Sequence, residues 1–205
     1  TSPPPPTQTP AFRRWFGESK VVDEKGEPMV VYHGTTAEFD QFDTSESLGA
    51  HFGTSKAAND RIRDMAGVPG RHAHVKPVFI RVERPYRLPD LDQWDQDEVL
   101  DFLDVDDSLD WSKCSDGLRS DVEVGGDYEP IQEFLRRNGY DGIVYQNREE
   151  GVRYATSGER ILDDSYIVFD PTQIKSATGN VGTFDPKDPR IAYGIAGAAA
   201  AADED

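Results

Sequence analysis

The chain has one cysteine, Cys114, four histidines and no long apolar run. A single thiol excludes an internal disulfide framework and fits a reducing compartment. Without a long apolar run there is no candidate transmembrane helix, and the start carries no signal-peptide pattern. There is no Gly-x-Gly-x-x-Gly fingerprint and no phosphate-binding Gly-Lys-Ser loop, which excludes a Rossmann or P-loop route to a nucleotide. No internal repeat is visible. Positive charge is scarce: 22 Lys and Arg stand against 39 Asp and Glu, a net charge of −17. Such a chain repels polyphosphate at long range, which argues against generic coating of DNA or RNA. A local basic patch can still hold a dinucleotide, because nearby groups set a site.

What is present is enough for one domain. The 205 residues allow a moderate core. Thr1 rather than methionine at the start leads us to expect a fragment or processed product of a larger polypeptide. Residues 1–10 are proline-rich and read as an extended linker. Residues 11–190 read as the domain. Residues 191–205 are alanine-rich with an acidic tip and read as a flexible tail. Much of the negative charge crowds between Asp90 and Asp110. It reads as a solvated helix face and loop, with a contact surface for a basic partner, or mimicry of nucleic acid, as the rival.

Several short strands and helices without strict βαβ alternation predict an α+β fold. Phe12, Trp15 and Phe16 have helical spacing and Gly17 closes that turn. Lys20–Asp23 and Met29–Tyr32 flank a turn and predict a hairpin. Gly49–Thr54 reads as a short strand. Ser55 is placed to cap a helix running to about Met65. Val75–Val82 alternates as a strand. Val99, Leu100, Phe102 and Leu103 mark a helix. Residues 106–127 read as loop, with Trp111 as an anchor. Ile131, Phe134 and Leu135 mark another helix, closed by Asn138-Gly139. Tyr140–Asn147 leads into a buried strand. Residues 148–163 read as an irregular charged loop. Tyr166–Asp170 is a clear strand, with Ser165 and Ile167 on one face and Asp164 and Tyr166 on the other. Ile174 and Ala177 lead into Gly179, Asn180 and Gly182, where regular structure is expected to stop. His72 and His74 read as surface residues, since no matching carboxylate or cysteine spacing accompanies them.

The pattern with chemical content is an apolar run, Pro28 to Tyr32, that ends in His33-Gly34-Thr35. An imidazole offers a donor and an acceptor, and glycine admits a ligand close to the backbone. Two further pieces follow: Gly49-Ala50-His51-Phe52 leading into Ser55-Lys56-Ala57-Ala58-Asn59, then Ser165-Tyr166-Ile167-Val168-Phe169-Asp170. This ordered set resembles the ADP-ribosyltransferase fold of the diphtheria-toxin and poly(ADP-ribose) polymerase type. It is most similar to the transferase-like domains of phage and mobile-element polyvalent proteins. Trp15-Phe16-Gly17, Tyr140–Tyr145, Asp164–Pro171, Thr183–Pro186 and Asp188-Pro189 carry that likeness, over roughly residues 11–190.

The resemblance implies a split antiparallel sheet with short flanking helices, and NAD as co-substrate. It implies that His33 bonds a ribose hydroxyl, that the Gly34 backbone clamps the nicotinamide carboxamide, and that Thr35 sits near the adenosine half. His51 stands where the family has a tyrosine that stacks on nicotinamide. Tyr32, Phe52, Ser55 and Tyr166 complete the expected NAD site. Ser165 stands where the family has its catalytic glutamate, and a hydroxyl carries no charge. Glu150, in the loop before that strand, is the expected substitute, with Glu149 beside it. The expected activity is transfer of ADP-ribose to a host macromolecule, a protein rather than bulk nucleic acid given the charge. The expected setting is an effector or toxin module acting in the cytoplasm of the target cell. Two alternatives stay open: a lapsed fold that binds a nucleotide or protein, and an NAD glycohydrolase.

Overall fold

A computed structural model describes residues 5–65, 72–91, 93–114, 117, 120, 127–180 and 182–191. Residues 1–4 of the expected linker, Asp92 of the acidic segment, Gly67 to Gly70 and residues 192–205 of the expected tail lie outside these.

The fold is α+β and its sheet is split. One sheet has the order β1-β3-β9, from strands Val31–Thr35, His74–Ile80 and Ile174–Ser176. The other has the order β2-β8-β5-β4, from Ala50–Phe52, Asp164–Val168, Gly142–Gln146 and Pro85–Arg87. All these pairs are antiparallel except β4–β5, which is parallel. That pair departs from the all-antiparallel expectation. The chain between β4 and β5 holds helices α3 (Gln96–Asp104) and α4 (Glu129–Arg137), which supply the crossover a parallel pair requires.

Both sheets turn one face to a shared core. Val31, Val78, Ile80 and Ile174 come from the first, and Phe52, Val144, Tyr166 and Val168 from the second. The outer face of the first sheet is covered by α1 (Pro10–Phe16), where Phe12, Trp15 and Phe16 meet Phe79 and Phe184. The outer face of the second is covered by α3 and α4, where Leu100, Leu103, Ile131, Phe134 and Leu135 pack on Tyr145 and Ile167. The alternation of Tyr166 and Ile167 between these two cores matches the strand-face reading. Trp111 is an anchor, stacked at 4.3 Å on Phe134.

Several local expectations are corrected. The hairpin is reduced to one bridge, Val22 to Pro28, because β1 takes β3 as its partner instead. Thr54, not Ser55, caps helix α2 (Ser55–Met65): its hydroxyl accepts from the Ala57 amide at 3.1 Å. Replacing Thr54 with alanine is expected to cost about 1 kcal/mol in a urea titration. Phe102 is exposed, since α3 buries only Val99, Leu100 and Leu103. The 148–163 loop holds a two-stranded hairpin, β6 (Arg153–Tyr154) and β7 (Arg160–Ile161), fixed by a bidentate Arg153–Asp163 pair. The stretch from Ile174 forms β9, the third strand of the first sheet, which ends at Ser176, ahead of Gly179 as expected. At its centre Lys175 is fully buried, and its ammonium donates to the Asp188 and Arg190 carbonyls.

Candidate active site

A backbone bridge joins the two sheets. Tyr32 of β1 exchanges both backbone hydrogen bonds with Gly53, at 2.9 and 3.0 Å. Beyond that bridge the strands part, and His33, Gly34 and His51 stand at the parting.

Backbone alternation decides what each group faces. Tyr32 uses its N–H and C=O on the Gly53 side, so its pair with Pro77 in β3 carries no ladder bonds. This is why a proline, which lacks the N–H, fits inside β3. Two residues on, Gly34 pairs with Val75 in the same non-bonded register. Its N–H and C=O therefore point away from β3, into the gap. Continuing the Tyr32–Gly53 register sets Gly34 opposite His51. The ladder does not close there because a side chain intervenes. His33 Nδ1 lies 2.8 Å from the His51 carbonyl oxygen.

A carbonyl only accepts, so Nδ1 of His33 carries the proton. Burial, with Arg61, Lys76 and His74 nearby, lowers the His33 pKa and favours the neutral ring. Nε2 is then an acceptor. The imidazole thus wedges the strands, satisfies the His51 carbonyl, and leaves one donor and one acceptor on Gly34. Glycine at 34 also lets α2 pack close on β1, since a Cβ there would lie 2.6 Å from the Ala58 carbonyl oxygen of α2.

The His33 imidazole meets the His51 backbone, and the two rings take different neighbours. His33 packs on Phe42 at 5.0 Å and on Phe52 at 5.6 Å. His51 meets Trp94 at 5.7 Å and Tyr145 at 6.2 Å, with Nδ1 3.4 Å from the tyrosine hydroxyl. Burial, with His33 and Arg61 nearby, holds the His51 pKa down to about 4. The tyrosine hydroxyl is pushed up by burial and by the Asp90 and Glu150 carboxylates.

Ser165 is buried at 2 % exposure on the His51 side of β8. Its oxygen accepts from Asn147 Nδ2 at 3.2 Å, and it is in hydrogen-bonding reach of Tyr145. A Cβ on Gly53 would lie 2.8 Å from that oxygen. A compact neutral network, Asn147–Ser165–Tyr145–His51, thus surrounds this position. The nearest loop acids are held around it. Asn147 Oδ1 accepts from the Glu149 and Glu150 amides, and Glu150 Oε1 lies 3.7 Å from Arg61 of α2. Asp90 accepts from the Arg148 amide at 2.6 Å, and burial raises its pKa.

The other expected residues fall as follows. Thr35 is buried, its hydroxyl accepting from the Ala37 amide. Phe52 and Tyr166 lie in the core between the sheets. Ser55 is exposed on the first turn of α2, where Asn59 donates to its carbonyl. Among the described residues no cluster of three or more metal-ligating side chains forms. The two described concavities, around Phe134 and Arg137 and around Gln41 and Arg190, lie apart from the parting of the strands.

Sequence reasoning missed Arg61, Asp90, Trp94, Tyr145 and Asn147. Trp94 has the clearest structural signature. It is a non-glycine residue in left-handed conformation, φ 55°, a state that costs about 1–3 kcal/mol.

No curated protein and no solved structure matches the chain. The family model of ADP-ribosyltransferase in polyvalent proteins matches residues 23–184, which include both histidines, Gly34 and Ser165. The chain belongs to the ADP-ribosyltransferase family of polyvalent proteins.

Proposed function

We propose that this domain binds NAD at the parting of β1 and β2 and transfers ADP-ribose to a protein of a host cell, as a phage or mobile-element effector. The observation that carries the reading is the Gly34 backbone, whose N–H and C=O face the gap that His33 holds open. A carboxamide presents one acceptor and one donor, the complement of that peptide group. Neutral His33 offers Nε2 to a ribose hydroxyl. His51 and Tyr145 flank the ring, and Thr35 and Ser55 stand toward the adenosine half, with Tyr32, Phe52 and Tyr166 as support.

The reaction breaks the bond from ribose carbon to nicotinamide and forms one from the same carbon to the acceptor. Nicotinamide leaves, and the acceptor's proton is released. Positive charge develops on the ribose, and a carboxylate stabilises it. Ser165 cannot supply that charge. Glu150 is the residue we assign, because it stands on the loop that adjoins Asn147 and its charge is felt at Tyr145. Arg61 holds it in the resting chain.

The test is incubation with adenylate-labelled NAD and host lysate. Label on protein, with nicotinamide released, is the expected result. Glu150→Gln is expected to slow transfer at least about tenfold, with NAD affinity kept within about twofold. Absence of both label and nicotinamide release defeats the catalytic claim. Release without label identifies a glycohydrolase instead.

The buried neutral network at Ser165 favours a second reading, a domain that binds NAD or a partner without turnover. Calorimetric NAD binding with no nicotinamide release decides for it.

A further inference from the structure

We propose that Lys76 and His74 form a seat for the diphosphate of the dinucleotide, and that the Glu38 carboxylate fills this seat until the dinucleotide displaces it. This rests on the NAD reading above and adds to it an anion-binding pair and a competing acid.

The register of the first sheet makes the seat. His33 stands opposite Lys76, and Thr35 opposite His74. Opposed residues of an antiparallel pair share a face, as do residues two apart, so these four side chains lie on one face. Val31 and Val78 begin that face inside the core between the sheets. Further along it turns polar, and two cationic side chains stand beside His33 and Thr35. Burial lowers the His33 pKa, and Arg61, Lys76 and His74 are near enough to add to it. In NAD the diphosphate joins the two riboses. A ribose held by His33 therefore brings the diphosphate within reach of the strand next to it.

The two cations are built into the sheet rather than loose on its surface. The Lys76 side chain is only 15 % exposed, and its ammonium lies 4.7 Å from the centre of the Phe39 ring. That ring supports the charge on one side. His74 Nδ1 lies 3.3 Å from the His72 carbonyl oxygen, and a carbonyl only accepts, so Nδ1 carries a proton. Nε2 of the same ring is buried and makes no hydrogen bond among the described residues. A buried polar atom left in that state costs stability until a partner bonds it.

Glu38 fits the seat poorly. Its side chain is 85 % exposed and spans both cations, with Oε1 3.4 Å from His74 Nε2 and Oε2 3.7 Å from Lys76 Nζ. Charge-assisted hydrogen bonds are shorter, about 2.7–2.9 Å. A solvated carboxylate at such a range adds little stability and is readily exchanged. A diphosphate brings more charge and more acceptor oxygens than one carboxylate. The exchange breaks no covalent bond, since Glu38 only turns out to solvent. In a chain of net charge −17 the pair also offsets the repulsion that an anionic ligand meets.

The test is calorimetry with NAD, ADP-ribose and nicotinamide riboside, which keeps the ring and its ribose but has no phosphate. The chains are wild type, Lys76→Met, His74→Gln and Glu38→Gln, each checked for fold by circular dichroism. Lys76→Met keeps an apolar stem on Phe39 and loses the charge. It should weaken NAD and ADP-ribose about tenfold and leave nicotinamide riboside within about twofold. His74→Gln should act in the same direction. Glu38→Gln should tighten NAD and ADP-ribose about threefold, because the competing acid is gone. A gain of affinity is not what loss of a merely structural ion pair gives, and this exposed position carries the test if Lys76→Met fails to fold. Unchanged NAD affinity in Lys76→Met, equal weakening of all the ligands, or weaker NAD binding by Glu38→Gln overturns the seat while the NAD reading survives. A wild-type chain that binds none of the ligands overturns both.

Discussion

Gly34→Ala is expected to destabilise the domain by about 3 kcal/mol and to abolish NAD binding. The added Cβ would lie 2.6 Å from the carbonyl oxygen of Ala58 and 3.0 Å from Cγ1 of Ile62. The second contact is with a side chain that can turn. The first is with helix backbone, so α2 must shift away from β1 or β1 must bend into the gap. Either movement changes the place of the Gly34 peptide and of Arg61 on the same helix. Chemical denaturation gives the loss of stability, and calorimetry gives the loss of NAD affinity. The double variant Gly34→Ala, Ile62→Ala separates the two contacts. It should recover little, because the backbone clash persists. Recovery of most of the lost stability would show that the side chain, not the backbone, sets the fit. Retention of NAD affinity by Gly34→Ala would remove the carboxamide clamp from the mechanism.

The parts of the fold that were legible in the sequence are those fixed by local chemistry. The His33-Gly34-Thr35 end of β1, the short strand at His51 and the faces of β8 follow from alternation and glycine placement. The order of those pieces located the family. What the sequence did not show depends on distant partners. β9 is three residues long and is a strand only because β3 offers it an edge. Thr54 and Ser55 are equally good caps by composition, and the entry angle from β2 decides between them. Trp94 stood among carboxylates with no periodicity. Its place depends on Tyr128 on one side and Tyr145 on the other. Ser165 was readable as a candidate site residue, yet the network around it was not. Asn147 and Tyr145 come from β5 and its exit, and no spacing rule connects them to position 165.

Acid is expected to unfold this domain earlier than it unfolds a chain lacking His51. The imidazole titrates at about 4 in the fold, against 6.5 in the unfolded chain. Between those values the unfolded chain binds a proton that the folded one does not. Stability therefore falls as pH falls, beginning near 6.5 and ending near 4. Above this window the group contributes nothing to pH dependence, and below it both states are protonated. At about 1.4 kcal/mol per pH unit the loss sums to roughly 3 kcal/mol. His33 is lowered for the same reason and acts in the same direction. Asp90 acts against them, because its raised pKa lets the folded state take a proton first. Asp188, pulled down to about 2 by Arg190, loses its contribution as pH falls from 3.8, below this window. The His51→Gln chain isolates the imidazole, since an uncharged amide replaces it while the other groups remain. Urea titrations from pH 7 to pH 4 should show wild type losing roughly 3 kcal/mol more than the variant over that range. Parallel losses would mean that His51 is solvated in the fold, and a charged ring at that position would repel the cationic half of NAD.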